Sequence, residues 1–168
     1  MVESGVEIKP IQPDQAEEAK LIVVQGCQEI WNLPGSPDEV LRQWNEIGVL
    51  SDMDDVQLSY FNSGGTFLVL TDAGRVVGTG AMRRLSDEIC EFKRMWFLKE
   101  YRGRGLGMRM AQMLLTFARE AGYKKVRLDT GDATKQPEAL RLYERLGFYV
   151  IERYNDGPCT IFMEKSLD

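Results

Sequence analysis

A glycine-rich segment, Arg102-Gly103-Arg104-Gly105-Leu106-Gly107, lies between a predicted strand and a predicted amphipathic helix, and it constrains the fold more than any other stretch of the chain. Glycine lets the backbone approach a ligand closely and adopt conformations that are closed to other residues. The helix that follows presents unpaired N–H groups and the positive end of its dipole. With Arg102 and Arg104 beside it, the segment is predicted to cradle a phosphate or pyrophosphate group.

The residues after the glycines exclude two common phosphate-binding motifs. A Walker loop needs Gly-Lys-Ser/Thr, and no lysine follows Gly107. A GxGxxG dinucleotide fingerprint fails at Met108. The ligand of the cradle must therefore be a different kind of phosphate compound.

The first third of the chain contains two helix-start signals followed by a polar stretch. Asp14 and Glu17 have the spacing of a capping box and predict a helix to about residue 31. The sequence Ser36-Pro37-Asp38-Glu39 has the same capping logic, with proline at the first helical position. Residues 51–65 are polar and end in two glycines, so we expect a loop there.

Hydrophobic periodicity predicts the other elements, because alternation indicates strands and a repeat of three or four indicates helices. The predicted strands span residues 6–11, 66–71, 75–85, 89–98, 126–130, 148–153 and 160–163. Two further helices are predicted over residues 106–121 and 137–146. Antiparallel strands precede a strand–helix–strand–helix–strand unit, which indicates an α/β domain with a mixed sheet and helices packed on it.

The absence of histidine restricts the chemistry that the chain can perform. None is present among 168 residues, which excludes a Ser-His-Asp triad, a Cys-His dyad and imidazole zinc sites. Proton transfer near neutral pH must then use carboxylates, tyrosine, cysteine, lysine or water. The cysteines Cys27, Cys90 and Cys159 have no disulfide or metal-site spacing, so we expect reduced thiols and no metal. Without a signal peptide or a long apolar run, a cytoplasmic protein with no membrane partner is expected.

Charge is unevenly distributed along a chain whose net charge is −5. Residues 1–60 contain twelve acidic and three basic side chains, whereas residues 93–109 contain six basic side chains and one acidic one. One cationic stretch in an acidic chain indicates a specific anionic partner and argues against nucleic acid.

Two motifs resemble the GNAT superfamily of acyl-CoA-dependent N-acetyltransferases. Arg102-x-x-Gly105-x-Gly107 is similar to the family's Q/R-x-x-G-x-G/A signature, and residues 97–107 resemble V-x-P-x-Y-R-G-x-G-I-G with Lys99 in place of proline. Residues 139–148, ALRLYERLGF, resemble A-x-x-L-Y-x-x-x-G-F. The resemblance covers residues 65–165 and implies one GNAT-like α/β domain over residues 1–168, with a mixed, mostly antiparallel sheet and helices on both faces.

The resemblance also implies a set of residues that bind acetyl-CoA. Backbone N–H groups of the glycine-rich segment would hold the pyrophosphate, and a strand splayed from its neighbour would pair with the pantetheine arm. The N–H of Phe97 would polarise the thioester carbonyl. Gln136 stands where the family often has asparagine. The full set is Met95, Trp96, Phe97, Arg102, Gly103, Arg104, Gly105, Leu106, Gly107, Met108 and Gln136.

Two side chains are candidates for acid–base chemistry. Tyr143 matches the family's usual general acid, a phenol that donates a proton to the coenzyme A sulfur; the alternative is a packed aromatic residue. Glu91 occupies a position where some members have a catalytic glutamate; the alternative is a solvated strand residue. Asp129 is the reserve candidate for the base.

The activity implied is transfer of acetyl from acetyl-CoA to a primary amine of a small molecule or peptide, by direct attack. Residues 1–62 would border the acceptor, where the acidic run Asp52-Met53-Asp54-Asp55 would favour a cationic amine or form a solvated surface. The alternatives are a non-catalytic coenzyme A-binding sensor and a basic-loop nucleic-acid binder. A homodimer is left open.

Overall fold

The computed structural model describes residues 5–132 and 134–168. Within these ranges the helices are α1 (Ala16–Trp31), α2 (Pro37–Ile47), α3 (Val56–Ser59), α4 (Leu106–Glu120) and α5 (Pro137–Arg145). The strands are β1 (Val6–Pro10), β2 (Thr66–Asp72), β3 (Arg75–Arg84), β4 (Ile89–Phe97), β5 (Lys125–Thr130), β6 (Tyr149–Ile151) and β7 (Ile161–Ser166). Each strand and each long helix predicted from periodicity is present.

The seven strands form one mixed sheet in the order β1-β2-β3-β4-β5-β7-β6. Only β4 and β5 run parallel among the described strands, and α4 connects them. β7 lies between β5 and β6. The last strand of the predicted strand–helix–strand–helix–strand unit is β6, and it therefore does not pair with β5. The mixed, mostly antiparallel sheet is confirmed.

Helices cover both faces of the sheet, as the sequence predicts. One core packs α4 and α5 against the sheet through Met110, Leu114 and Tyr143. The second core packs α1 and α2 against the other face, through residues such as Val23 and Leu41. Burial of apolar area on two sides makes the sheet the rigid centre of the domain.

The two predicted helix starts have different outcomes. α2 begins as expected, because the Ser36 hydroxyl accepts from the Glu39 N–H at 3.2 Å and the Glu39 carboxylate accepts from the Ser36 N–H at 3.4 Å. The Asp14–Glu17 capping box is wrong. Gln12 and Gln15 form the reciprocal pair instead, and a 3₁₀ turn, Pro13–Gln15, precedes α1.

The expected loop over residues 51–65 is largely a series of short helical turns. A 3₁₀ turn at Ser51–Met53, the four-residue α3 and a second 3₁₀ turn at Phe61–Ser63 follow one another. The side chains of Met53 and Tyr60 are fully buried. These turns occur because the polar stretch contains apolar residues that pack onto the second core.

Candidate active site

β4 and β5 separate near the middle of the sheet, which opens a gap at its centre. They pair over only three positions, and the last pair is Glu91 with Arg127. Beyond it, β5 continues to pair with β7 and β4 continues to pair with β3. The splay that the family resemblance implies is therefore present.

A β-bulge in β4 adds to this departure from regular pairing. The register with β3 shifts so that Arg94 and Met95 both lie opposite Gly80. Arg94 adopts a left-handed backbone conformation with φ of 57°. Its carbonyl accepts a hydrogen bond from the Thr79 hydroxyl at 2.6 Å. A bulge of this kind bends a strand and redirects the side chains beyond it.

The side chains of the predicted pantetheine-binding stretch point to alternate faces of β4. Met95 and Phe97 pack on the α4 face, and Trp96 packs on the α1 face. Two glycines make room for them. A Cβ on Gly26 of α1 would lie 2.2 Å from the Trp96 ring, and a Cβ on Gly80 would lie 2.7 Å from the Met95 sulfur.

The glycine-rich segment forms a backbone cradle at the end of the gap. Gly103 and Gly105 have positive φ angles of 74° and 78°, and a Cβ on either would have no heavy atom within 4 Å. α4 begins at Leu106 with no side-chain cap. The N–H groups of Gly103, Gly105, Leu106, Gly107 and Met108 have no hydrogen-bond acceptor among the described residues. Five donors at a helix N-terminus fit a pyrophosphate.

The arginines of the cradle are held by contacts within the chain. The Arg102 Nε donates to the Phe97 carbonyl at 2.9 Å, and its Nη1 lies 2.8 Å from the Glu29 carboxylate. The Arg104 guanidinium lies 5.1 Å from the centre of the Tyr101 ring. The acidic N-terminal region thus neutralises part of the cationic stretch. From the sequence alone, the two regions were considered as separate charges.

Tyr143 lies beneath the point where β4 and β5 separate. Its ring packs against Phe92, the first β4 residue beyond the last pair, with centroids 6.2 Å apart. The side chain as a whole is 6% exposed, but the hydroxyl oxygen is not fully buried and takes part in no hydrogen bond with any described residue. Burial, with a smaller contribution from Asp129, raises the pKa of Tyr143 well above its ordinary value. The group is therefore a neutral phenol with a proton to donate.

Glu91 is enclosed on the opposite face of the sheet from Tyr143. It is 1% exposed, and its carboxylate accepts from the Arg83 Nη2 at 3.0 Å and from the Tyr154 hydroxyl at 2.5 Å. The solvated-strand alternative is wrong. Each carboxylate oxygen accepts one hydrogen bond, and the Tyr154 hydroxyl is the neutral donor of the two.

Asp129 is the more accessible carboxylate near the gap. It is half-buried on β5, and its Oδ2 accepts from the side-chain amide of Asn155 at 2.8 Å. Its charge contributes to raising the pKa of Tyr143, of Tyr154 and of Cys159. Asp129 therefore lies among the groups that surround the gap.

Gln136 is engaged in closing the loop between β5 and α5. Its side-chain carbonyl accepts from the Gly131 N–H at 2.5 Å and from the Thr130 hydroxyl at 3.1 Å. The side-chain carbonyl is thus used locally, and the NH₂ group is the part that remains for a ligand.

The carboxylates of the acidic run have partners within the chain. Asp52 pairs with Arg94 through two hydrogen bonds of 2.6 and 3.2 Å. Asp54 pairs with buried Lys20 at 2.6 Å, and Asp55 caps α3. Asp54 and Asp55 are exposed, which fits the solvated surface, and attraction of a cationic amine stays a prediction.

The described residues contain neither a metal-binding cluster nor a membrane-spanning helix. No group of three or more His, Cys, Asp or Glu side chains in these ranges could hold a metal ion. None of the helices described is both long and apolar enough to cross a membrane.

Fold and cradle together define an acetyl-CoA-dependent acyltransferase, and comparison with known proteins gives the family. The model of the Acetyltransferase (GNAT) family matches residues 27–148. The uncharacterized N-acetyltransferase YjgM of Escherichia coli (strain K12) is 38% identical over 123 residues, which cover 69% of this chain and 72% of that protein. The chain belongs to the GNAT family. It spans about half the length of the mammalian N-acetyltransferases that it also matches.

Solved structures agree on the fold. An acetyltransferase from Streptococcus agalactiae 2603 superposes with a TM-score of 0.79 at 24% identity, covering 98% of this chain and 100% of that one. The PaiA N-acetyltransferase of Thermoplasma acidophilum, in complex with coenzyme A, superposes with a TM-score of 0.72 at 17% identity, covering 96% and 98%. Both likenesses show that the chain has the fold of these acetyltransferases.

Sequence reasoning missed three side chains that surround the gap. Tyr154 and Arg83 hold Glu91, and Lys93 lies two residues after Glu91 on β4. Only Lys93 carried a signal, since it alternates with Glu91 along the strand. Tyr154 lies in a loop 63 residues from Glu91 with no motif around it.

Proposed function

We propose that this protein transfers the acetyl group of acetyl-CoA to a primary amine of a small molecule or peptide, by direct attack of the amine. One observation carries the proposal: the Tyr143 hydroxyl lies at the opening between β4 and β5 with no hydrogen-bond partner among the described residues. The hydroxyl oxygen is not fully enclosed, so a ligand that enters the gap can accept its hydrogen bond. The coenzyme A sulfur is the partner that the proposal assigns.

The donor is held by the chain between the cradle and the gap. The five N–H groups of the cradle bind the pyrophosphate, and the backbone of Met95, Trp96 and Phe97 pairs with the pantetheine arm. Arg102, Arg104 and the NH₂ group of Gln136 lie beside this path. In this division residues 65–165 hold the donor, and residues 1–62 border the acceptor.

Acetyl-CoA supplies an acetyl thioester, whose C–S bond breaks as the amine nitrogen bonds to the acetyl carbon. An ammonium acceptor must lose two protons in total. One passes to a carboxylate, either Asp129 directly or Glu91 through the Tyr154 hydroxyl, and then to solvent. Tyr143 gives its proton to the departing sulfur. The second proton of the amine then restores the Tyr143 hydroxyl. This balance needs no group beyond those of the chain, the two substrates and water.

A sensor that binds acetyl-CoA without turnover is the second candidate. It would need the cradle and the gap but not the proton path. Tyr143, Tyr154, Glu91 and Asp129 all lie around the gap, and this concentration of proton-carrying groups favours the enzyme.

Two measurements test the proposal. Thermal and urea unfolding with acetyl-CoA tests the donor site, because a ligand at 100 times its Kd adds about 2.7 kcal/mol to the free energy of unfolding. Thiol release from acetyl-CoA across a panel of primary amines tests turnover. Stabilisation together with amine-dependent release supports the enzyme; stabilisation with no release above background for any amine supports the sensor.

Tyr143→Phe separates the acid from the donor site. We expect kcat to fall by about 10²–10⁴-fold while the Kd of acetyl-CoA changes little, since the hydroxyl makes no contact that holds the fold. Unchanged kcat in this variant would contradict the role of Tyr143. The cytoplasmic location and the homodimer stay predictions; the three free thiols support the first.

A further inference from the structure

Lys93 and Asp129 occupy equivalent positions on the two strands that separate. Glu91 and Arg127 are the last residues of β4 and β5 to pair, and Lys93 and Asp129 each follow two residues later. Because side chains alternate along a strand, both point to the same face as Glu91 and Arg127. Opposite charges therefore border the two sides of the gap at its start.

The neighbouring charges on this face are already paired. Glu91 has Arg83, and Arg94 has Asp52. Arg127 donates to Glu164 at 2.9 Å. Each of these ions has an opposite charge in hydrogen-bond contact.

Lys93 and Asp129 differ from these neighbours. Neither makes an ion pair within residues 5–132 and 134–168, either with each other or with a third residue. Asp129 has only neutral partners, the amide of Asn155 and the thiol of Cys159, and the side chains of Lys93 and Asp129 are half-buried. The strands hold the two charges apart by more than the 4.0 Å of an ion pair, so each has unused capacity for a charged ligand.

Cys159 lies near both charges. Burial raises the pKa of its thiol to about 11, Asp129 adds to the rise and Lys93 opposes it. Asp129 also contributes to raising the pKa of Tyr143, whereas Lys93 is not among the groups that act on Tyr143.

We propose that the acceptor is an amine that also carries a carboxylate, such as an α-amino acid, with its ammonium group against Asp129 and its carboxylate against Lys93. This inference rests on the proposed function and names the substrate class of the same site. It places the amine at Asp129, the member of the pair that acts on Tyr143. Lys93 disfavours a purely cationic amine such as a polyamine, because no described carboxylate forms an ion pair with this like charge.

The experiment compares matched acceptors that differ only in the carboxylate. Each amino acid of a panel is assayed by thiol release beside its amide and its decarboxylated amine, for example phenylalanine, phenylalaninamide and 2-phenylethylamine. We expect kcat/KM to be about 10- to 100-fold higher for the best acid than for its amide, the range typical of one charge-assisted hydrogen bond.

Two variants assign the preference to Lys93. Lys93→Met, which keeps the chain length and removes the charge, should lower kcat/KM for the acid and bring its ratio to the amide close to one. Lys93→Arg should restore most of the preference. Lys124→Met, at an exposed lysine paired with Glu88, is the matched control and should leave the ratio unchanged.

The outcomes distinguish this inference from the activity itself. Equal or higher kcat/KM for the amides and carboxylate-free amines of every set, or a preference that survives Lys93→Met, would overturn the inference and leave the acetyltransferase intact. No thiol release from any acceptor, in protein that acetyl-CoA still stabilises, would overturn both.

Discussion

The Tyr154 hydroxyl donates a hydrogen bond of 2.5 Å to the Glu91 carboxylate, across a separation of 63 residues. Arg83 holds the other oxygen of that carboxylate at 3.0 Å, and Glu91 is 1% exposed. Burial, together with the bond to Glu91, raises the pKa of Tyr154 far above its ordinary value. Tyr154 therefore passes a proton to Glu91 only if it receives one at the same time.

Variants of this pair distinguish the two routes for the acceptor's proton. If Glu91 acts through Tyr154, Glu91→Gln and Tyr154→Phe each lower kcat by a similar factor, and the double variant is no slower than the slower single one. Asp129→Asn then has a much smaller effect on kcat. The rate of thiol release at saturating substrate gives kcat for the three single variants and the double variant.

The opposite result assigns the base to Asp129. A large fall in kcat for Asp129→Asn with near-normal kcat in Tyr154→Phe would contradict the route through Glu91. Urea unfolding of each variant serves as the control, because a purely structural role lowers stability without changing kcat in the folded fraction.

Gly26 is predicted to be essential for the packing of α1 on β4. Gly26→Ala places a methyl group 2.2 Å from the Trp96 ring, and we expect the free energy of unfolding to fall by about 1–3 kcal/mol. Gly107→Ala is the matched helical control. Its Cβ would meet its nearest atoms at 3.7 and 3.8 Å, so its stability should change by less than about 1 kcal/mol. Equal stability of Gly26→Ala and Gly107→Ala in urea would contradict the close approach of α1 to the Trp96 ring.

Arg94 combines a favourable ion pair with an unfavourable backbone conformation. Its φ of 57° is accessible to glycine at little cost, whereas alanine and arginine are about 1 kcal/mol less favourable there. Both Arg94→Ala and Arg94→Gly lose the contact with Asp52, so both should be less stable than the wild type. We expect the glycine variant to be the more stable of the two by about 1 kcal/mol in urea unfolding.

Ala73 provides a control for this backbone effect. It also has a φ of 51°, and it has no charged group to lose. Ala73→Gly should therefore stabilise the protein by about the same amount. The strain at Arg94 would be contradicted if Arg94→Gly were no more stable than Arg94→Ala while Ala73→Gly stabilised the protein.

The three thiols predict a loss of stability in mild alkali. Burial raises the pKa of Cys27 and Cys159 to about 11 and that of Cys90 to about 12, from an ordinary value of 9.0. Since the folded pKa values are the higher ones, the stabilisation is fully present below pH 9 and is lost as pH rises from 9 through about 11 to 12.

We expect the free energy of unfolding to fall by about 2 kcal/mol between pH 7.5 and 9.5 from the three thiols alone. The protein in which all three cysteines are replaced by alanine should show a smaller fall over the same range. The same slope in both proteins, measured by urea unfolding, would show that other groups are responsible.

Local signals in the sequence predicted the parts of the site that depend on neighbours in the chain. The glycine-rich segment, the start of α4 and the capping box at Ser36 are short-range features, and each is present as expected. Tyr143 and Glu91 were selected from their positions in the family resemblance, and their catalytic roles stay predictions; the burial of Glu91 was not foreseen.

The features that were missed depend on contacts between distant segments. The bulge at Arg94 leaves no mark in the alternation of β4, and its partner Asp52 is 42 residues away. The ion pairs of Asp52 and Asp54 were missed for the same reason, since charge counted along the chain does not show which carboxylates find a cation. Tyr154 belongs to a loop whose position is set only when β7 inserts between β5 and β6.

Direct transfer to an amine is tested most directly by following the acetyl group from labelled acetyl-CoA to its products. Free thiol, N-acetylated acceptor and label on the protein are measured together during turnover, with an amino acid as acceptor. We expect thiol and N-acetylated acceptor in equal amounts and no label on the protein. Thiol release without an N-acetylated product, or an acetyl group retained on the protein, would contradict the mechanism.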